Sequence, residues 1–319
     1  MSQHSAAFLA ATRDLQDGVA GAAEAMEQLA RNGDGDAQMM VGEFRLRGLY
    51  GPKNLERGFR MITAAAEKGQ IDAQRARIYL TAMGVGRKAH PALAHSLLAT
   101  LAKTDRFAAV QSGLLEHVTC VAKVASMTPE VVCPDPKIVL WRGLFSEMEC
   151  KYLTNVGLPW MERAMIADPA TGQGILDPVR VSDTTAVPLI SEDLIVQEIN
   201  RAIALTTGTQ TRWGEPLTVL RYRPGQQYHP HYDAYEEGSP QPQRTTTALV
   251  WLNDAYEGGE TRFPELGITV RGAVGDMLVF PNLGADGRRN DRMLHAGLPV
   301  TRGEKWLASR WITGVDMIG

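Results

Sequence analysis

The segment Gln227-Tyr228-His229-Pro230-His231-Tyr232-Asp233 sets imidazoles and a carboxylate at two-residue intervals, and another imidazole follows at His295 in Met293-Leu294-His295-Ala296-Gly297. In an extended chain alternate side chains share a face, so His231 and Asp233 project into one space. Two imidazole nitrogens and one carboxylate oxygen on one face of an octahedron leave three positions open. That is how iron(II) can bind a bidentate co-substrate together with O₂. By the same count His229 falls on the face of His231 and Asp233, and spacing alone leaves it open as a ligand. A lone His-x-Asp means little in a chain of this size; its companions carry the weight. Lys305 lies ten residues after His295, on the next expected strand. A buried ammonium there is costly unless an anion meets it, and the far carboxylate of 2-oxoglutarate is such an anion.

The elements that would position these groups are short. Strands are expected at 138–141, 218–222, 228–232, 245–252, 259–263, 268–270, 276–280, 293–299 and 305–312, separated by Gly and Pro. Many short strands with that punctuation suggest a double-sheet jelly roll, a double-stranded β-helix, rather than a parallel βαβ sheet. Flanking helices are expected from Ser146, where Glu149 completes a capping box, and over 191–206. Gly258-Gly259-Glu260-Thr261 and Gly275-Asp276 read as turn chemistry, because no helix N-terminus follows them to cradle an anion. The loop 286–292 is mixed in charge and reads as solvated; the alternative is that its arginines edge a substrate cleft and select an acidic target.

The first third of the chain differs. Residues 1–120 are rich in Ala, Leu, Met and Gln at helical spacing and carry a period of 36: Asp36-Ala37-Gln38 recurs as Asp72-Ala73-Gln74, Gly33 as Gly69, Gly48 as Gly84, and Ala30 as Ala66 and Ala102. Each unit would be a pair of short antiparallel helices whose apolar faces are buried by the next unit. The proline-spaced stretch 121–136 reads as a linker, leaving 137–319 as the second domain. With 319 residues, 44% hydrophobic, and a formal charge of -3, the chain can bury two cores and carries no basic surplus for nucleic acid or an anionic membrane. Three cysteines without CxxC spacing imply neither disulfides nor zinc. The N-terminus lacks a charged segment followed by a long apolar run, and no stretch approaches a membrane span, so a cytoplasmic protein is expected. Oligomeric state is not legible.

Two resemblances add to this reading. The pattern GDAQMMVGEFRLRG…AAAEKG over about residues 20–110 resembles the tetratricopeptide-related Sel-like repeats. The segments LRYRPGQQYHPHYD, RTTTALVWLNDAYEGGETRFP, GDMLVFPN, LHAGLPVTRGEKW and SRWI resemble the catalytic core of prolyl 4-hydroxylases, with a lead-in at 145–150 and 179–182, so that about residues 135–314 are covered. The family pattern Tyr-x-x-His-x-Asp selects Tyr228, His231 and Asp233, and implies that His229 is not a ligand but a residue at the pocket lip. The resemblance implies iron(II), 2-oxoglutarate and O₂, with ascorbate a further candidate. It implies that Lys305 grips the distal carboxylate of 2-oxoglutarate, with Thr247, Tyr222 and Tyr228 around the co-substrate. Trp251 stands where the family usually has Tyr. Arg180 and Trp311 match positions near the substrate groove; a structural ion pair and a core aromatic are the competing readings. The implied activity is hydroxylation of an unactivated C–H bond, with a prolyl residue of a peptide or protein, docked partly on the helical repeats, as the leading substrate. A free amino acid or small metabolite is the alternative, and a non-catalytic repeat scaffold the third reading.

Overall fold

The computed structural model describes residues 4–167 and 174–319. By Cα proximity the chain separates into two units, Met1–His117 with Pro188–Gln197 and Gly319, and Val118–Val187 with Glu198–Ile318.

The first unit is built of helices α1 (Ala6–Gln16), α2 (Ala22–Arg31), α3 (Gly35–Arg47), α4 (Leu55–Glu67), α5 (Ile71–Met83), α6 (Pro91–Leu101) and α7 (Arg106–Leu115). The 36-residue period is a period of caps and contacts. Asp34, Gln70 and Asp105 begin α3, α5 and α7, each side chain accepting from the N–H three residues on, at Ala37, Ala73 and Ala108. Asn54 and His90 cap α4 and α6 in the same way. Such caps each contribute about 1 kcal/mol. Gly48 and Gly84 end α3 and α5 at φ +73°, a left-handed turn that favours glycine. The repeated Gln and Ala meet each other: Gln38 donates to the Ala30 carbonyl at 3.1 Å and Gln74 to that of Ala66 at 3.3 Å. Ala37, Val41, Ile62, Ala73, Leu80 and Ala94 are fully buried along the stack. Among the described residues, no helix is long and apolar enough to cross a membrane.

The second unit adds α8 (Cys120–Val124), α9 (Glu147–Gly157) and most of α10 (Leu194–Thr207) to two larger antiparallel sheets. In chain order their strands are β1 (Glu130–Cys133), β2 (Ile138–Trp141), β3 (Glu162–Arg163), β4 (Arg180–Val181), β5 (Asp183–Ala186), β6 (Thr218–Tyr222), β7 (Gln227–His231), β8 (Thr246–Trp251), β9 (Thr261–Phe263), β10 (Ile268–Val270), β11 (Met277–Pro281), β12 (His295–Gly297) and β13 (Lys305–Ile312). The large sheet runs β1-β2-β11-β8-β13-β6-β5-β3 and the smaller one β10-β9-β12-β7-β4. This is the expected jelly roll with flanking helices. Its apolar core includes Ile138, Leu140, Trp251, Phe263, Leu278 and Phe280. Phe263 and Phe280 meet edge to face across the sheets at 5.2 Å. Burial of each such side chain contributes roughly 1.5–3 kcal/mol.

Three local expectations need correction. The stretch 121–136 is no bare linker: it carries the end of α8 and strand β1, which covers the edge of the wholly buried β2. Pro129 and Pro134 flank β1, where a missing N–H costs no ladder bond. The strand expected over 259–263 begins only at Thr261, because Gly258 and Gly259 both take positive φ. The helix expected from Ser191 begins at Leu194, since the Asp193 carboxylate accepts from Ile195 and Val196. By contrast, the capping box at Ser146 and Glu149 is present.

Candidate metal and co-substrate site

The smaller sheet brings the three predicted donors together. One ligand atom from each of His231, Asp233 and His295 lies within 4.8 Å of the others. His231 Nε2 is 3.7 Å from Asp233 Oδ1, and His295 Nε2 is 3.6 Å from Asp233 Oδ2. Strand pairing sets this up, since His295 on β12 stands opposite His231 on β7. Each imidazole bonds through Nδ1 to a carbonyl two residues back: His231 to His229 at 2.7 Å, His295 to Met293 at 3.0 Å. With its Nδ1 proton so engaged, each ring turns the Nε2 lone pair toward the cluster.

Burial and the neighbouring His295 charge hold the His231 imidazole down to about 4, against the pull of Asp233. Burial by itself would raise the Asp233 carboxyl, but the two histidines and a hydrogen bond from Thr247 outweigh it and keep it low. The His231 imidazole is therefore kept neutral beside an ionised carboxylate, and such donors suit a divalent transition metal.

The alternation that put His229 on the same face fails. The β7–β12 register shifts between His295 and Gly297, pairing His231 with His295 and Tyr228 with Gly297. Two residues, His229 and Pro230, fill the space of one, so both turn out to solvent and Tyr228 and His231 face inward. Pro230 has no N–H to lose to this irregularity. The rings of Tyr228 and His231 stack at 3.4 Å and 13°.

A cavity beside the cluster is lined by Tyr222, Tyr228, Leu249, Lys305, Ser309 and Trp311, among others. Its wall is β13, whose odd-numbered residues Lys305, Leu307, Ser309 and Trp311 all face in. Lys305 is 2% exposed, and its Nζ donates to the Gly259 carbonyl at 2.6 Å and lies 5.6 Å from the Tyr222 ring centre. Burial pulls this ammonium down to about 7. Burial pushes the Tyr222 and Tyr228 hydroxyls up, so both stay protonated donors.

Thr247 does not line the cavity. Its hydroxyl donates to Asp233 Oδ2 at 2.6 Å and accepts from Asn282 Nδ2 at 2.9 Å. Trp251 is fully buried in the core and also off the lining, so its indole fills space rather than facing the co-substrate. Arg180 pairs with Tyr228 in the small sheet; its guanidinium lies 5.8 Å from that ring and 3.8 Å from Asp177. Trp311 is buried, with an indole N–H that has no partner among the described residues. In the loop 286–292, Arg289 pairs with Glu236 and Asp291, and Arg292 with Asp135. Sequence reasoning missed Ser309 and Asn282. Ser309 follows from the two-residue period that starts at Lys305, whereas Asn282 acts through Thr247 and leaves no spacing signal.

Residues 217–313 match the 2OG-Fe(II) oxygenase superfamily. Prolyl 4-hydroxylase 1 of Arabidopsis thaliana is 33% identical over 207 residues, 60% of this chain and 73% of that protein. The chain belongs to the prolyl 4-hydroxylase family. As a member of these 2OG-Fe(II) oxygenases it is an iron(II)- and 2-oxoglutarate-dependent dioxygenase, with O₂ as the second co-substrate. Prolyl 4-hydroxylase 5 of the same plant is 32% identical over 207 residues, 57% of this chain and 70% of that protein. A viral collagen prolyl hydroxylase from Paramecium bursaria Chlorella virus-1, solved with 2OG, is 29% identical, covers 56% of this chain and 96% of its own, and has a TM-score of 0.45. A Sel1 repeat protein from Oxalobacter formigenes is 23% identical, with 35% of this chain and 88% of that chain covered and a TM-score of 0.32. The family's groups suit the residues present: two Nε2 lone pairs and a carboxylate for the iron, and a buried ammonium for the dicarboxylic acid.

Proposed function

We propose that this chain hydroxylates a prolyl residue of a peptide or protein, with His231, Asp233 and His295 holding iron(II) and Lys305 anchoring 2-oxoglutarate. The observation that carries the site assignment is the occurrence, in one cavity, of the three converging donors and a buried ammonium bonded to a backbone carbonyl. An ammonium so placed is stabilised by a carboxylate arriving with a ligand. The prolyl substrate rests on the identity to the Arabidopsis enzyme.

The chain's own residues then have definite tasks. Nδ1 bonds to the His229 and Met293 carbonyls orient the two imidazoles, and Thr247, itself held by Asn282, fixes the Asp233 oxygen. Tyr222, whose ring centre lies 5.6 Å from the Lys305 ammonium, is assigned to support the distal carboxylate. Leu220, Leu249 and Leu307 exclude water around it. Iron(II) with 2-oxoglutarate and O₂ supplies oxidative decarboxylation to succinate and CO₂ and insertion of the remaining oxygen atom into a C–H bond. Tyr228 is assigned to the co-substrate, Arg180 and Trp311 to the substrate side, and the helical repeats to docking the remainder of the polypeptide.

The test is to incubate iron-loaded protein with 2-oxoglutarate and proline-containing peptides, following succinate and searching by mass spectrometry for one added oxygen. Oxygen is expected on proline. Its appearance only on a free amino acid or small metabolite would replace the peptide reading. His231→Ala and Asp233→Ala should each abolish iron binding and turnover, and activity retained in either rejects the ligand assignment.

A further inference from the structure

The mostly buried Arg244 side chain, beside the cavity, is held by contacts on several sides. Arg244 immediately precedes Thr245, which bonds through both N and Oγ1 to the Ile312 carbonyl, at 2.7 and 3.0 Å. Its guanidinium meets Glu215 edge-on, Nε to Oε1 at 2.6 Å and Nη2 to Oε2 at 2.7 Å, a bidentate fork. Two aromatic rings lie against it: the Trp311 ring centre at 4.1 Å and the Tyr235 ring centre at 4.7 Å. Glu215 is tied to the same place, its N–H donating to the Trp311 carbonyl at 2.8 Å. On the far side, Gln243 closes the loop that leaves Asp233, accepting from the Tyr235 N–H at 2.8 Å and donating to its carbonyl at 2.9 Å. A Tyr235-Arg244-Trp311 stack thus joins the chain just after Asp233 to one wall of the cavity.

The geometry points to Arg244 as a positioning residue that fixes the plane of Trp311 and so governs how substrate, rather than co-substrate, fits the cavity. Trp311 lines the cavity with a buried indole N–H that no group among the described residues accepts, so its orientation decides where that donor is offered. The separation from the co-substrate end follows from the strand. Lys305 and Trp311 are six residues apart on β13, which at about 3.3 Å per residue is roughly 20 Å. Only a planar, five-donor guanidinium can stack on two rings while forking onto a carboxylate, so lysine cannot replace it. This inference rests on the proposed reading of the site, and its test separates the two.

The experiment uses the full chain with Arg244→Lys, Glu215→Gln, the double variant, and Tyr235→Leu as a milder cut from the half-buried side of the stack. Two readouts are taken: 2-oxoglutarate affinity from the visible charge-transfer band of the anaerobic iron complex, and the KM for a synthetic proline-containing peptide. Arg244→Lys should raise the peptide KM about tenfold or more, since it loses both stacking and the fork, and leave 2-oxoglutarate affinity within about twofold, a change typical of a site that is not touched. Tyr235→Leu should raise the peptide KM less, and the double variant should be no worse than Arg244→Lys alone, because both residues act through one stack. An unchanged peptide KM overturns the inference, as does a parallel loss of 2-oxoglutarate affinity, which would mark Arg244 as structural. Failure of the wild-type protein to give the band or to oxidise the peptide counts against the proposed function instead, and in the second case the band still tests Arg244.

Discussion

Lys305 is buried with its ammonium pulled down to about 7 by burial. In the unfolded chain a lysine titrates near 10.4, so between about 7 and 10.4 the folded protein carries fewer protons than the unfolded one. The ligand-free protein should therefore gain stability from this group as pH rises through that window. Binding runs the other way: a carboxylate needs the ammonium, so 2-oxoglutarate affinity should weaken as pH rises above about 7. Titration calorimetry across pH checks this, and pH-independent affinity would count against Lys305 as the anchor. Lys305→Met, which keeps the volume, should weaken 2-oxoglutarate binding by about 10- to 100-fold, a charge-assisted hydrogen bond contributing roughly 1.5–3 kcal/mol. His229 makes the opposite case. Its side chain is exposed, and only its backbone carbonyl touches His231. His229→Ala should leave iron affinity within about twofold, as for ordinary surface changes. Residue types and spacing made His231, Asp233, His295 and Lys305 legible, because the i, i+2 rule and the cost of a burying an ammonium are local arguments. The exclusion of His229 was not legible from spacing, because a bulge depends on the partner strand.

At the scale of elements, what could be read were signals written in adjacent residues. The capping box at Ser146 and Glu149, the 36-residue alternation of caps, and the inward face of β13 are of that kind. The connector that turned out to contain β1 was not, since four residues become a strand only when β2 offers an edge. Glu149 also does more than a capping box requires. Besides the Ser146 N–H and hydroxyl at 2.6 and 2.8 Å, its carboxylate accepts from the N–H groups of Thr119 and Cys120 at 2.9 and 3.0 Å, tying the start of α8 to that of α9. Burial would raise this carboxyl, but the hydrogen bonds win and hold it low. A carboxyl depressed by folding stabilises the protein above its unfolded value, near 4.3, and that contribution is lost as pH falls below it. Glu149→Gln should cost about 2–3 kcal/mol in urea unfolding, because an amide turns an N–H group toward donors already there. It should also flatten the acid limb of the stability curve. A variant as stable as the parent, with an unchanged acid limb, would show that the donors find other partners.

At the scale of the whole molecule, the sequence divides at about 120, yet residues 188–197 group with the helices. Leu194 is buried in a cluster with Ile78, Tyr79, Leu98 and Leu101, and the Gln197 amide donates to the Tyr79 carbonyl at 3.1 Å. No local pattern marks such a return, because Leu194 reads as one more apolar position of an amphipathic helix. A protein truncated before residue 121 would expose Leu194, losing roughly 1.5–3 kcal/mol, and its Tm should fall by roughly 5 °C. Loss of activity in that fragment would therefore not reveal whether the helices bind substrate. Peptide length does so with the chain intact. If the repeats dock polypeptide, KM should fall as a proline-containing peptide is extended from about 4 to about 20 residues, the longer one reaching roughly 65 Å when extended, while kcat stays level because the added contacts are uniform binding. A KM that ignores length, measured beside the same peptides' oxygen incorporation, would confine recognition to the jelly roll and leave the helical stack a stabilising role.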